Sequence, residues 1–270
     1  MNRPLIFRFP FSYEFKKRLF FRFYNPVKKK WHGIFENAPI KAAPGIVLKL
    51  LSSDFMHGLI AFTGIYEEEL TSRLSEQAGK GGVLVDVGAN AGYFSTIWAA
   101  LNPSNKVLSF EASPRNVGIL NENIKKNGLQ DRVKVYGFAL GKEKGVLPFD
   151  CGPEDLTGWG GLVLESKAAS IEVDVERLDQ LLTDVEIIDV LKIDVEGADT
   201  WVLMGADLLL RNKQIKLIYF EQNKTRLNQL AIREDEAVEY LASVGYKAVP
   251  LSDTSEDIVD WMATPEECTN

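Results

Sequence analysis

Cysteine is nearly missing from this chain: 270 residues hold only Cys151 and Cys268. Two isolated thiols provide neither a disulfide framework nor a ligand cluster, so a reducing, cytoplasmic setting is the simplest expectation. Long apolar runs are missing as well, and none approaches the ~18 residues of a membrane span. In the first thirty residues Arg8 and Lys16–Arg18 interrupt every apolar stretch, which argues against a secretory leader. The dinucleotide fingerprint is incomplete. Gly88 and Gly92 are present, but Asn90 stands where the middle glycine should be and residues 93–95 supply no third. A pyrophosphate therefore lacks its close seat on the backbone. A P-loop is excluded outright, because no G-K-[ST] follows.

An apolar fraction of 46% suffices for a packed core, and 26% charged residues is ordinary. Charge is unevenly spread. Residues 1–30 hold nine basic side chains against the single acid Glu14, a net +8; a chain total of −7 leaves −15 for the remainder. Residues 1–40 thus read as a basic aromatic arm and residues 41–270 as an acidic globular domain. An acidic body argues against nucleic acid as a partner. In the arm, Ser12 is placed to cap a helix over 13–24 that Pro26 ends. Its packed face is expected to hold Phe15, Leu19 and Phe23, with Lys16, Lys17 and Arg22 outward. Such an arm fits against its own body, against a twin subunit in a homodimer, or on anionic lipid as a peripheral contact at the inner membrane surface.

After a Pro/Gly-punctuated stretch over 41–61, read as a small strand pair, the spacing of Tyr66, Leu70 and Leu74 predicts a helix ending near Gly79–Gly82. Strands then alternate with helices: strand 83–87 and helix 93–101, strand 106–111 and helix 114–127, strands 133–138 and 171–175. Strand 187–193 with helix 199–211 and strand 215–221 with helix 234–244 follow. Strands 246–251 and 258–263 form a closing hairpin, and 141–170 reads as irregular. Repeated βα units mean a mostly parallel sheet covered on both faces, with an antiparallel edge from the hairpin.

The most informative segment is VLVDVGANAGYFS, Val83–Ser95. An apolar strand stops at a glycine turn and a helix follows, a device that brings backbone N–H groups close to a small ligand. Asp86 and Glu111 add two carboxylates at the edge where open α/β sheets bind ligands. Glu111 is placed to accept two ribose hydroxyls, and Asp86 with Asn90 to hold a charged amino-acid tail. A phosphate-free adenosine with such a tail fits these residues better than a nicotinamide dinucleotide.

DVGANAGYFS (Asp86–Ser95), FEASPRN (Phe110–Asn116), LKIDVEGAD (Leu191–Asp199) and GIYEEEL (Gly64–Leu70) together resemble the FkbM-type S-adenosylmethionine-dependent methyltransferases, over about residues 45–250. The resemblance implies a class I, Rossmann-like α/β sandwich. Its seven-stranded sheet has the order 3-2-1-4-5-7-6 with strand 7 antiparallel, and the activity implied is O-methylation of sugars, glycans or polyketide-type natural products. It further implies that Gly88, Asn90, Gly92, Phe94 and Ser95 line the methionine side of the cofactor and that Glu111 takes the ribose. Ala112, Asn116 and Ala139 would lie near the adenine, and Glu67 would close over the site. Asp199 stands where the family commonly has Glu.

Methyl transfer from a sulfonium needs alignment and exclusion of water, and an alcohol acceptor must also lose a proton. By the period of two, Lys192, Asp194 and Glu196 share one side of the strand near 187–193 and open at its carboxyl edge. Asp194 is the expected base or acceptor-orienting group, with Glu196 sharing the role and Lys192 as partner. Substrate contacts are expected from Trp159 and Gly160 in a glycine-flanked lid, from Glu221, and from His57, which is also an alternative base. Asp194, Glu196 and Glu221 would offer Mg²⁺ a hard oxygen site, although no tight ligand spacing supports one and no metal is assigned. An NAD-dependent reductase and a non-catalytic cofactor-binding scaffold are the rival readings.

Overall fold

The computed structural model describes residues 3–165 and 170–266. The arm begins with α1 (Leu5–Arg8) and α2 (Tyr13–Leu19), continues as a π-helical turn over Phe20–Tyr24 and a 3-10 stretch over Asn25–Trp31, and ends in α3 (His32–Phe35). Ser12 caps α2 as expected, its Oγ accepting from the Phe15 N–H at 3.3 Å. Pro26 does not stop the chain's coiling, because it sits at the start of the 3-10 stretch, where no N–H is needed. The packed face matches the expected one only in part: Leu19 packs half-buried against the core and Arg22 is exposed. Tyr13, Lys16 and Phe20 are buried at helical spacing, whereas Phe15 and Phe23 are 45% and 62% exposed. Phe7, Tyr13, Phe20, Ile34 and Phe35 join the same core cluster as Leu84 and Ile97, so the arm shares the core of the domain.

β1 (Ala38–Pro39) and β2 (Val47–Leu48) form the small antiparallel pair. Next comes α4 (Phe55–Thr63), absent from the sequence reading because it is apolar on all sides and almost wholly buried. Asp54 caps it, accepting from the His57 N–H at 2.7 Å, and Gly64 ends it in the left-handed region. α5 (Glu68–Lys80) leads to the alternation: β3 (Val83–Val87), α6 (Tyr93–Leu101), β4 (Lys106–Phe110), α7 (Pro114–Lys126) and β5 (Val133–Tyr136). β6 (Ala139–Leu140), β7 (Gly145–Asp150), β8 (Gly161–Leu162) and β9 (Ser170–Glu176) follow, then α8 (Leu178–Leu181), β10 (Val190–Ile193), α9 (Asp199–Met204) and α10 (Asp207–Arg211). β11 (Ile218–Asn223), α11 (Lys224–Gln229), α12 (Glu236–Ser243), β12 (Tyr246–Pro250) and β13 (Ile258–Pro265) close the chain.

The main sheet has seven strands in the order β12-β13-β11-β10-β3-β4-β5. Numbered within the sheet this is 6-7-5-4-1-2-3, the expected class I order. The antiparallel seventh strand is where the resemblance implies; only the antiparallel edge read from the hairpin alone is not observed. The hairpin's second strand, β13, runs antiparallel between β11 and β12, so the antiparallel strand is internal and the edge strand β12 is parallel to the rest. The segment 141–170 is not irregular. β7, β8 and β9 join β6 in a separate four-stranded sheet of order β6-β9-β7-β8, which removes strand 171–175 from the main one; residues 166–169 of that segment lie outside the described residues. One apolar cluster joins α4–α7 and the arm to one face of the main sheet, and a second joins α8–α10 and α12 to the other. Among the described residues no helix is long and apolar enough to cross a membrane.

Candidate active site

The turn after β3 owes its glycines to the protein's own packing. At Gly88 (φ +80) a Cβ would stand 1.8 Å from the Asp194 carbonyl oxygen, and at Gly92 (φ +83) it would stand 2.6 Å from Leu120 Cδ1. Only a residue without Cβ lets the end of β10 and helix α7 approach this closely. Gly88 still lines the cavity described below; Gly92 does not. The Gly88 and Ala89 N–H groups donate to the Phe110 carbonyl at 2.9 and 3.0 Å, which fixes the turn to the end of β4.

Glu111 completes that attachment. Its Oε2 accepts from the Asn90 N–H at 2.8 Å and its Oε1 from the Ser113 N–H at 2.9 Å. Burial pushes its carboxyl above the usual range, against the pull of those N–H groups. Asn90 itself has φ +48, a conformation its short polar side chain tolerates. His57 Nε2 lies 3.2 Å from Asn90 Oδ1, while Nδ1 accepts from the Leu51 N–H at 3.1 Å. That pairing assigns the proton to Nε2, and burial lowers the pKa of the ring. Although His57 lines the cavity, both nitrogens are engaged, so it orients Asn90 and is not free to act as a base.

A cavity of about 490 Å³ opens at the carboxyl ends of β3, β4 and β10, within the range typical of small-molecule sites. Gly88, Asn90, Phe94, Glu111, Ala112, Asn116, Ala139, Trp159, Gly160, Asp194, Glu196 and Glu221 all reach its wall. Besides Gly92, three expected residues do not: Asp86, Ser95 and Glu67. Asp86 and Ser95 are buried beneath the wall, where Ser95 Oγ donates to Asp86 Oδ2 at 2.5 Å and lies 2.8 Å from Ser109 Oγ. The strand register explains this, since Asp86 pairs with Ser109 on one side and Lys192 on the other. Asp86 is therefore an internal counter-charge, 3.7 Å from Lys192 Nζ. Glu67, in the left-handed region at φ +40, lines a smaller neighbouring cavity of about 110 Å³ that shares Lys192, Asp194 and Glu221 with the first.

Carboxylates crowd the mouth. Lys192 Nζ lies 3.3 Å from Asp194 Oδ2 and 5.2 Å from the Phe94 ring centroid. Burial works against its charge, but Asp194, Asp86 and Glu67 hold the ammonium above its ordinary range. Glu196, at φ +55, accepts from Asn223 Nδ2 at 3.2 Å and lies 3.8 Å from Arg226 Nε; both contacts fall on Oε2. Burial, and then the charge of Asp194, push its carboxyl up to about 7. The same causes, in the same order, raise Glu67 and Asp199 to about 7 and Glu221 to about 10. Asp199 lies outside the cavity wall and accepts from the Glu221 N–H at 3.2 Å. Among the described residues no group of three or more His, Cys, Asp or Glu stands at metal-holding spacing.

Trp159 occupies a 3-10 turn over Thr157–Trp159 and is 53% exposed at the rim. Its carbonyl accepts from Arg226 Nη2 at 2.6 Å. Sequence reasoning missed Thr157, Asn223 and Arg226, all of which line the cavity. The available signal was Asn223, a capping residue type three positions beyond the apolar run of the fifth strand, which caps α11 by accepting from the Arg226 N–H.

The site fits an adenosyl ligand on its own terms. Asn116 Oδ1 and Thr157 Oγ1 are buried in the cavity wall without a hydrogen-bond partner among the described residues. Unpaired buried acceptors are costly unless a ligand serves them.

Comparison with known proteins identifies the family. The family model of the methyltransferase FkbM domain matches residues 86–248. No curated protein matches significantly. Among solved structures, the methyltransferase FkbM of Methylobacillus flagellatus aligns at 17% identity with a TM-score of 0.47, covering 68% of this chain. This chain spans only 43% of that protein's length. A precorrin-6y C5,15-methyltransferase from Geobacter metallireducens aligns at 15% identity and TM-score 0.44, covering 75% of this chain and 90% of its own. The human methyltransferase 10 domain containing protein aligns at 12% identity and TM-score 0.48, covering 91% and 97%. With the match to its domain model extending over more than half of the sequence, the chain belongs to the FkbM methyltransferase family and is an S-adenosylmethionine-dependent methyltransferase.

Proposed function

We propose that this methyltransferase acts on a hydroxyl oxygen of a sugar, glycan or natural-product acceptor, with Glu196 taking the hydroxyl proton and Asp194 orienting the acceptor. The observation that carries this reading is the placement of Glu196. Its carboxyl reaches the cavity wall beside the exposed Trp159 and is pushed up to about 7. A general base works best when its pKa lies near the working pH. Asp194 is less suited to that step because Lys192 holds it as a partner at 3.3 Å.

S-Adenosylmethionine supplies an activated methyl group when bound. Glu111 would accept its ribose hydroxyls, since its two backbone bonds hold the carboxylate still and leave lone pairs on each oxygen. Asn116 Oδ1 and Thr157 Oγ1 would meet the polar edge of the adenine between Ala112 and Ala139. Gly88, Asn90 and Phe94 would border the methionyl end. The exposed face of Trp159 suits the flat apolar side of a sugar ring. An acceptor on Trp159 and Gly160 also excludes water from the mouth, which alignment-driven transfer requires.

The test is a panel of sugars, glycan precursors and hydroxylated natural products incubated with isotopically labelled cofactor. Label in a methoxy product, lost in Glu196→Gln with cofactor affinity retained, supports the reading. Label only on nitrogen or carbon contradicts it.

A further inference from the structure

We propose that the outward face of the N-terminal arm docks this enzyme on the surface of an anionic lipid bilayer. Eleven large apolar side chains are exposed among the described residues, and five of them, Leu5, Phe9, Phe11, Phe15 and Phe23, fall in the first 23 residues. Three are contiguous: the ring centroids of Phe9 and Phe11 lie 6.1 Å apart, and those of Phe11 and Phe15 lie 5.0 Å apart. Apolar exposure concentrated this way marks an interaction surface.

Charge identifies the partner. Arg8, Arg18, Arg22, Lys29 and Lys30 are exposed in the same arm, against Glu14 as the one exposed acid in 3–30. On α2, Phe15 and Arg18 are three residues apart and so share the outward face. Phenyl rings alongside cations match an interface that is anionic at headgroup level and apolar just beneath. A nucleic acid would neutralise the cations but leave five apolar side chains in water. A symmetric contact with a second copy would set these cations against their equivalents.

The arm is also a rigid mount. Phe21 stacks on Phe55 at 4.8 Å, and a Cβ at Gly58 would stand 2.8 Å from Phe20 Cζ. Both partners belong to α4, which supplies Met56, His57 and Ile60 to the cavity wall. A docked arm therefore lies one helix from the active site, which suits an acceptor presented at a membrane.

The test is co-sedimentation of the full chain with phosphatidylglycerol–phosphatidylcholine vesicles, with phosphatidylcholine alone as control. Binding is expected to anionic vesicles only and to weaken with added salt. Combined Phe9→Ser, Phe11→Ser, Phe15→Ser and Phe23→Ser should reduce it at least tenfold, and Arg18→Gln with Arg22→Gln roughly thirtyfold. Melting temperature and cofactor binding should not change, because these side chains are exposed. Equal sedimentation of the parent and both variants would overturn the proposal. So would absence of vesicle binding, whether accompanied by arm-dependent dimerisation in light scattering or by retention of RNA.

Discussion

Replacing Glu111 with alanine tests how the cofactor is held, without knowledge of the acceptor. In the native protein each carboxylate oxygen accepts one backbone N–H, from Asn90 at 2.8 Å and Ser113 at 2.9 Å. The side chain is therefore ordered before the ligand arrives, and the ribose hydroxyls meet an acceptor that loses little further freedom. Hydrogen bonds to a charged group contribute about 1.5–3 kcal/mol each and add incompletely, so the pair is taken as about 2–4 kcal/mol. That corresponds to a loss of roughly 30- to 1,000-fold in affinity. Calorimetric titration of the variant with S-adenosylmethionine and its demethylated product measures it directly. The variant also leaves two N–H groups short of an acceptor, so thermal melting must accompany the titration and should show a loss of about 1–3 kcal/mol. A folded variant whose dissociation constant stays within threefold of the parent would refute the assignment of Glu111 to the ribose.

Glu196→Gln should lower turnover by about 10²–10⁴ while leaving the cofactor's dissociation constant unchanged. In the parent enzyme, turnover should rise with pH through about 7 as the Glu196 carboxyl ionises, and a flat profile from pH 5.5 to 8.5 would remove Glu196 as base. Stability should run the other way. Glu67, Glu196 and Asp199 are raised in the folded state to about 7, so the fold binds more protons than the unfolded chain between their ordinary values and 7. The stability they contribute is complete below about pH 4 and is lost as pH rises towards 8, read as a falling urea midpoint across that range; Asp199→Asn should flatten the slope. Gly88→Ala, with a Cβ 1.8 Å from the Asp194 carbonyl at φ +80, should cost about 3 kcal/mol or more, read as a lowered melting temperature.

Much of the fold was legible because α/β alternation writes itself into periodicity. Strand 83–87, helix 93–101 and helix 114–127 emerged within a residue of their observed bounds. The errors have physical causes. α4 escaped because a helix buried on every side has no polar stripe. The arm's face was read partly wrong: hydropathy assigned Phe15 and Phe23 inward beside Leu19, whereas packing keeps Leu19 half-buried but selects Tyr13, Lys16 and Phe20. Segment 141–170 hid a small sheet whose strands, such as Gly161–Leu162, are too short to show alternation. At the site, the residue types pointed to the correct sheet edge, yet side-chain direction depended on register. Asp86 and Ser95 look like ligand contacts in DVGANAGYFS, but pairing with Lys192 and Ser109 sets Asp86 under the cavity floor, and Ser95 on α6 bonds to it there. Gly88 and Gly92 matter for the close approach of β10 and α7, which no motif reveals.

The most direct test of the central claim is carbon NMR of product formed from S-adenosylmethionine carrying a ¹³C-methyl group, with parent and Glu196→Gln enzymes side by side at pH 8. A single new methoxy resonance is expected with the parent, nearly absent with the variant. A methoxy signal of equal intensity from both, or a new signal confined to N-methyl or C-methyl carbon, would contradict the claim.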